Sequence, residues 1–118
     1  ITLLLDPLYH LYTKEDKEQA IREAIRVTKQ GGIIFAAKSE PKDLFELVRK
    51  EDIDDLMSIF PTTRLHYIAA DGCSLLMREA IDAMDSETFQ LYLKYHFAIC
   101  EREDLLGVTS HAVDIFKK

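Results

Sequence analysis

Apolar positions fall along this chain in runs and stripes that predict alternating strands and helices. Ile1 to Leu5 is an almost unbroken apolar run closed by Asp6 and Pro7, as in a central strand of a parallel sheet, buried on both faces. Thr13 followed by Asp16 matches a helix start, with a hydroxyl to cover an orphan amide and acid in the first turn. Ala20, Ile21, Ala24, Ile25 and Thr28 then recur at helical spacing, while Lys17, Glu18, Arg22, Glu23 and Arg26 take the outer side. Gly31 and Gly32 end that helix, and Ile33 to Ala37 is a second buried strand. Strand, amphipathic helix, Gly-Gly and strand make a βαβ unit.

After Ser39 the character changes. Pro41 suits a first helical position, Leu44, Phe45, Leu47 and Val48 give a short amphipathic helix, and Asp52 to Ile59 gives another, stopped by Pro61. A helical insertion over about 39–60 is the expectation. Arg64 to Ala70 reads as a third strand, with Leu65, Tyr67 and Ala69 on one face, and Asp71-Gly72 as a turn. Ser74 is placed to cap a helix to about Met84, with Leu76, Ala80, Ile81 and Met84 inward. The Asp85-Ser86 pair caps the next, whose stripe of Phe89, Tyr92, Leu93, His96, Phe97 and Cys100 is the clearest in the chain. Gly107 ends it. Val108 to Phe116 is a closing strand whose alternation Asp114 interrupts, with Lys117 and Lys118 as an exposed end, and it is expected to run antiparallel beside its neighbours.

Composition narrows the function classes. The chain has 118 residues, 47% hydrophobic and 31% charged, as in one soluble domain at the small end of the usual range. A net charge of -6 with scattered basic residues offers no stripe for nucleic acid. No apolar run approaches a membrane span and the start lacks a signal-peptide layout, so a cytoplasmic location is expected. Cys73 and Cys100 have no CxxC or Cys/His neighbours and read as reduced, idle thiols; no metal site is expected.

Ligands in open α/β sheets bind beyond the carboxyl ends of the strands, which points to Asp6, Pro7, Leu8, Tyr9 and His10. The proline stops the ladder, so Leu5 and Asp6 are free to face a ligand, and Tyr9 and His10 offer a ring, a phenol and an imidazole at the same rim. The plain alternative is a connecting loop with a solvated His and a half-buried Tyr. His96 on an apolar stripe reads first as a packed histidine, the pair His66 and Tyr67 as packing, and Glu101 to Asp104 as a solvated helix end. His111 has no acid or serine at a readable spacing, and no nucleophile-base set emerges from the serines.

The stretch LLLDPLYHLYTKEDKEQAIREAIRVTKQGGIIFAA resembles the fourth strand, following helix and fifth strand of class I S-adenosylmethionine-dependent methyltransferases, in the PLYHL turn and the RVTKQGG helix end. The segments IAADGCSLLMREAIDAMDSETFQLYLKYHFAICE and LLGVTSHAVDIF resemble the carboxyl-terminal part of one bacterial subgroup. The resemblance implies part of a Rossmann-like α/β sheet, mostly parallel with an antiparallel last strand, with helices packed on it. It implies methyl transfer from S-adenosylmethionine to a small-molecule acceptor. Leu5, Asp6 and Pro7 would border the cofactor, and Tyr9 and His10 the acceptor, with His10 and Tyr9 as the candidate catalytic groups.

Asp6 stands where such enzymes usually carry Gly, their glycine-rich cofactor turn would lie upstream of Ile1, and the excursion after Ala37 is short. The chain alone is then expected to be inactive, and its first strand to form an exposed edge that pairs with a second copy or with an amino-terminal half. The readings from other classes are a non-catalytic α/β interaction or regulatory domain derived from that fold, and a piece of a dinucleotide-dependent enzyme.

Overall fold

The Thr13 signal starts a helix in the structure, a computed structural model that describes residues 1–5, 7–39 and 50–118. Strand β1 (Thr2–Leu4), the helical turn α1 (Pro7–His10), helix α2 (Lys14–Val27) and strand β2 (Ile33–Ser39) form the first part. The Thr13 hydroxyl accepts from the Asp16 amide at 3.1 Å and donates to the Asp16 carboxylate at 2.7 Å. β1 and β2 pair in parallel, Thr2 opposite Ile34 and Leu4 opposite Ala36, so α2 is the crossover of the expected βαβ unit. Gly31, at φ 74, supplies the left-handed residue after the helix. Lys118 was expected at an exposed end; instead its ammonium donates to the Ile25 and Thr28 carbonyls at 2.6 and 2.8 Å, where the helix dipole favours a cation.

Helix α3 (Lys50–Ser58), strand β3 (Thr63–Ala69), helices α4 (Arg78–Asp82) and α5 (Ser86–Ile99), a 3-10 segment (Glu103–Val108) and strand β4 (His111–Lys117) follow. The sheet order is β1-β2-β4-β3. A mostly parallel sheet is therefore a wrong expectation. β4 is antiparallel as foreseen, but it runs between β2 and β3 and is antiparallel to both, so two of the three ladders are antiparallel. Pro41, Leu44, Phe45, Leu47 and Val48 of the expected insertion lie outside the described residues, as does Asp6.

One face of the sheet carries the core. Leu4, Ile34, Ala36 and Phe116 pack with Leu8 of α1, Ile21 and Ala24 of α2 and Leu56 of α3. β1 is not buried on both faces: alternation turns Leu3 away from the core, where it is 63% exposed, while Leu4 faces inward. β1 also stands at the sheet edge. The Ser74 helix is shorter than its pattern, with turns at 73–77 and Leu76 exposed rather than inward. α5 forms where predicted, capped by Asp85, which accepts from the Thr88 amide at 2.8 Å. Its stripe is only partly covered: no residue of Ser86–Ile99 is buried and Phe97 is 71% exposed, while Cys100, just past the helix, is buried. Gly107 falls inside the 3-10 segment rather than at the end of α5.

Asp114, the residue that breaks the β4 pattern, is buried on the core side among Ala112 and Phe116. Arg64 of β3 holds it with two hydrogen bonds, Nε to Oδ1 at 2.9 Å and Nη2 to Oδ2 at 2.6 Å, and gives Nη1 to Asp54 of α3 at 2.6 Å. A β-bulge between Arg64 and His66 makes this possible. Without the extra residue Arg64 would share the face of His66; with it Arg64 stands opposite Phe116, on the face of Asp114. Hydrogen bonding to Asp114 raises the Arg64 pKa further above its ordinary value, against partial burial. Arg64→Met leaves a buried carboxylate unpaired and should cost about 3 kcal/mol in urea unfolding, whereas Arg64→Met with Asp114→Leu should recover most of that loss. A double variant no more stable than the single one would refute this account of the pair.

Candidate functional site

β1, β2 and β3 run in one direction and β4 in the other, so the carboxyl ends of the first three and the amino end of β4 share one rim. At one side of this rim β1 ends at Leu4, Leu5 beyond it is 46% exposed, and Pro7 opens α1 as its first helical residue. The expected PLYH loop is thus a single helical turn, closed by the Leu11 amide on the Pro7 carbonyl at 3.1 Å. Leu8, buried, pins the turn to the core, and His10 is exposed. The backbone of Tyr9 lies in this turn; its side chain, like Asp6, is outside the described residues.

The densest polar constellation of the rim is one that the sequence reading missed. Asp71, just past β3, accepts at Oδ1 from the Thr109 hydroxyl and from the Ser110 and His111 amides at 3.0 and 2.9 Å. Its Oδ2 meets Nδ1 of His111 at 3.1 Å. Gly72 follows at φ 50, and its amide donates to the buried Thr109 hydroxyl at 3.0 Å. A Cβ at Gly72 would come within 3.1 Å of the His96 ring, so His96 is packed against the turn, as the plain reading expected. Tyr92 and His96 stack at 6.4 Å on the adjoining face of α5. Burial raises the Tyr92 phenol pKa, helped by the nearby Cys73 and Asp71.

The acid that His111 lacked in the linear pattern is therefore supplied by Asp71, and no local spacing could show it. The clue present was Asp71-Gly72, a turn pair at a strand end. β4 is two strands from β1, so at about 4.8 Å per strand this cluster sits roughly 10 Å along the rim from the α1 turn. The fold brings both groups to one rim without putting them in contact among the described residues.

A second polar group lies on the outer side of β3. A cavity of about 260 Å³ there is lined by Lys50, Arg64, His66, Tyr67, Glu101 and Leu106, among others. Its cations are matched, Lys50 with Asp54 at 2.7 Å and Arg64 with Asp114 and Asp54, and Nδ1 of His66 lies 3.0 Å from the Glu101 carboxylate. His66 is thus an exposed polar partner of Glu101 more than a packing residue. Cys73 and Cys100 are both free thiols. No helix among the described residues is long and apolar enough to cross a membrane.

The Asp71 carboxyl is pushed up by partial burial, but the Thr109 hydroxyl and the His111 amide and ring more than offset this and hold it below its ordinary 3.8. A depressed folded-state pKa contributes stability above the unfolded value, and that stability is lost as pH falls through the folded one. The urea midpoint should accordingly drop below about pH 4 more steeply in the parent chain than in Asp71→Asn, and parallel curves would remove Asp71 from the acid transition. No protein-family model and no curated protein matches this chain.

Proposed function

We propose that the chain is the carboxyl-terminal part of a class I S-adenosylmethionine-dependent methyltransferase domain, with its site along the carboxyl rim. The observation that carries this reading is the strand arrangement. β1 and β2 form a parallel unit through α2, and the last strand returns antiparallel between β2 and β3. Together with the PLYHL and RVTKQGG motifs it supports the Rossmann-like methyltransferase sheet.

By the resemblance, the methionine end of a sulfonium cofactor would lie at this rim. Leu5, just past the end of β1, is 46% exposed, and Pro7 opens α1. Leu5, Asp6 and Pro7 would border the cofactor and Tyr9 and His10 the acceptor; the glycine-rich turn for the rest of the cofactor belongs, by the resemblance, upstream of Ile1. When bound, the cofactor supplies an electrophilic methyl group. The chain's part is then positioning: Leu8 anchors the α1 turn on the core so that its exposed side is held at the rim.

One observation favours a second reading, a non-catalytic interaction domain: large apolar side chains such as Leu3, Leu91 and Phe97 stand exposed. Calorimetric titration of S-adenosylmethionine into a polypeptide that carries this chain with upstream residues separates the two. Binding with a dissociation constant of about 10 μM or tighter, weakened about tenfold by Leu5→Arg, is the expected result. No binding by a folded protein overturns the methyltransferase reading and favours the interaction domain.

A further inference from the structure

We propose that Asp71 and His111 form a proton-accepting pair, with Nε2 of His111 as the base that takes the proton of a phenol- or thiol-class substrate at the rim. The pairing stands on geometry alone; the substrate class rests on the methyltransferase reading.

The Asp71 carboxylate is only 24% exposed and carries no proton to give, so the 3.1 Å contact to Nδ1 of His111 requires the imidazole to donate. This fixes the tautomer of the neutral ring, with hydrogen on Nδ1 and a lone pair on Nε2. Three further donors, the Thr109 hydroxyl and the Ser110 and His111 amides, hold the other carboxylate oxygen. The orienting acid is therefore locked to the same backbone segment that carries the base. The His111 side chain is 57% exposed, and with Nδ1 committed, Nε2 is the nitrogen that a substrate meets. Surface His-acid contacts are usually loose. The other exposed pair here, His66 with Glu101, joins two side chains that are each at least half exposed.

In the proton step the O–H or S–H bond of the acceptor breaks, its electron pair stays on oxygen or sulfur, and the proton joins Nε2. The resulting imidazolium is stabilised by Asp71 and later passes the proton to water. Imidazole bases serve acceptors that are only partly ionised near neutrality, which favours phenols and thiols. Carboxylates need no base, and alkyl alcohols give up their proton only in concert with attack, so phenols and thiols are the easier acceptors.

The test uses this chain and p-nitrophenyl acetate, which reads a free imidazole lone pair without any cofactor. Nε2 attacks the ester carbonyl, p-nitrophenolate leaves with the bonding pair, and water cleaves the resulting acetylimidazolium, whose Nδ1 keeps its hydrogen, to acetate and two protons, restoring the neutral ring. His111→Gln should lower the rate by about tenfold or more, and His66→Gln should leave it within about twofold. Asp71→Asn keeps an acceptor oxygen for the two amides but offers His111 an N–H, which inverts the tautomer. Nitrogen-15 spectra should show neutral His111 protonated on Nδ1 in the parent chain and on Nε2 in Asp71→Asn. An Nε2-protonated ring in the parent, or an unchanged ester rate in His111→Gln, overturns the pair. If Asp71→Asn fails to fold, the parent tautomer and the His111→Gln rate still decide. Cofactor titration is separate: a reactive Nε2 without cofactor affinity leaves the pair and removes the methyltransferase reading, and the reverse outcome does the opposite.

Discussion

A carboxylate buried in the middle of a sheet governs this fold. Asp114 lies on the core side of β4, which has neighbours on both edges. An unpaired charge there would cost several kcal/mol, on the order of a small domain's whole stability. Arg64 supplies the cation, and only because a bulge in β3 turns it to the right face. The same guanidinium reaches Asp54, so the pair also ties α3 to the sheet, and Arg64 and Lys50 both lie over the Tyr67 ring at 5.2 and 5.8 Å. One buried acid thus joins β4, β3 and α3. Replacing it with an apolar residue would be compatible with the core, but the specific register of the last two strands would lose its electrostatic marker.

The rim constellation repeats that logic at the other end of the same strand pair. Asp71 closes β3 and Thr109 to His111 opens β4, so the register that satisfies Asp114 also sets the Asp71 cluster. Both acids occupy positions where a chain of net charge -6 has few cations to spare. Asp114 is matched by an arginine, Asp71 by neutral donors and one imidazole. That difference separates the two roles: the arginine neutralises a buried charge, whereas the carboxylate held by neutral donors orients the histidine beside it.

What was legible in the sequence followed the range of the interaction. The β1–α2–β2 unit and the caps at Thr13 and Asp85 depend on residues within a few positions or on one helical period, and they form as read. The sheet order does not follow from such periods, since nothing in the pattern of β4 tells an inserted strand from an edge strand. Asp114 looked like a fault in the alternation because its partner is fifty residues away and on the wrong parity until the bulge is known. His111 looked unpartnered for the same reason, with its acid forty residues upstream. The α5 stripe shows the opposite limit. Periodicity found the helix, but periodicity states only that a face is apolar, not what it meets.

The exposed apolar positions and the ordered rim are independent features of one sheet. Leu3 projects away from the core face and is exposed, whereas the Asp71 cluster is built from the ends of two paired strands and their own amides. A layer laid over Leu3 would bury it without disturbing a single donor to Asp71. The orientation of His111 therefore depends on the β3–β4 ladder and its Arg64–Asp114 brace, and not on whatever covers the sheet. The α1 turn, by contrast, follows the edge strand β1 and sets Leu8 into the core. Of the two halves of the rim, the one read from the sequence has the weaker support, and the one found only in three dimensions is the better fixed.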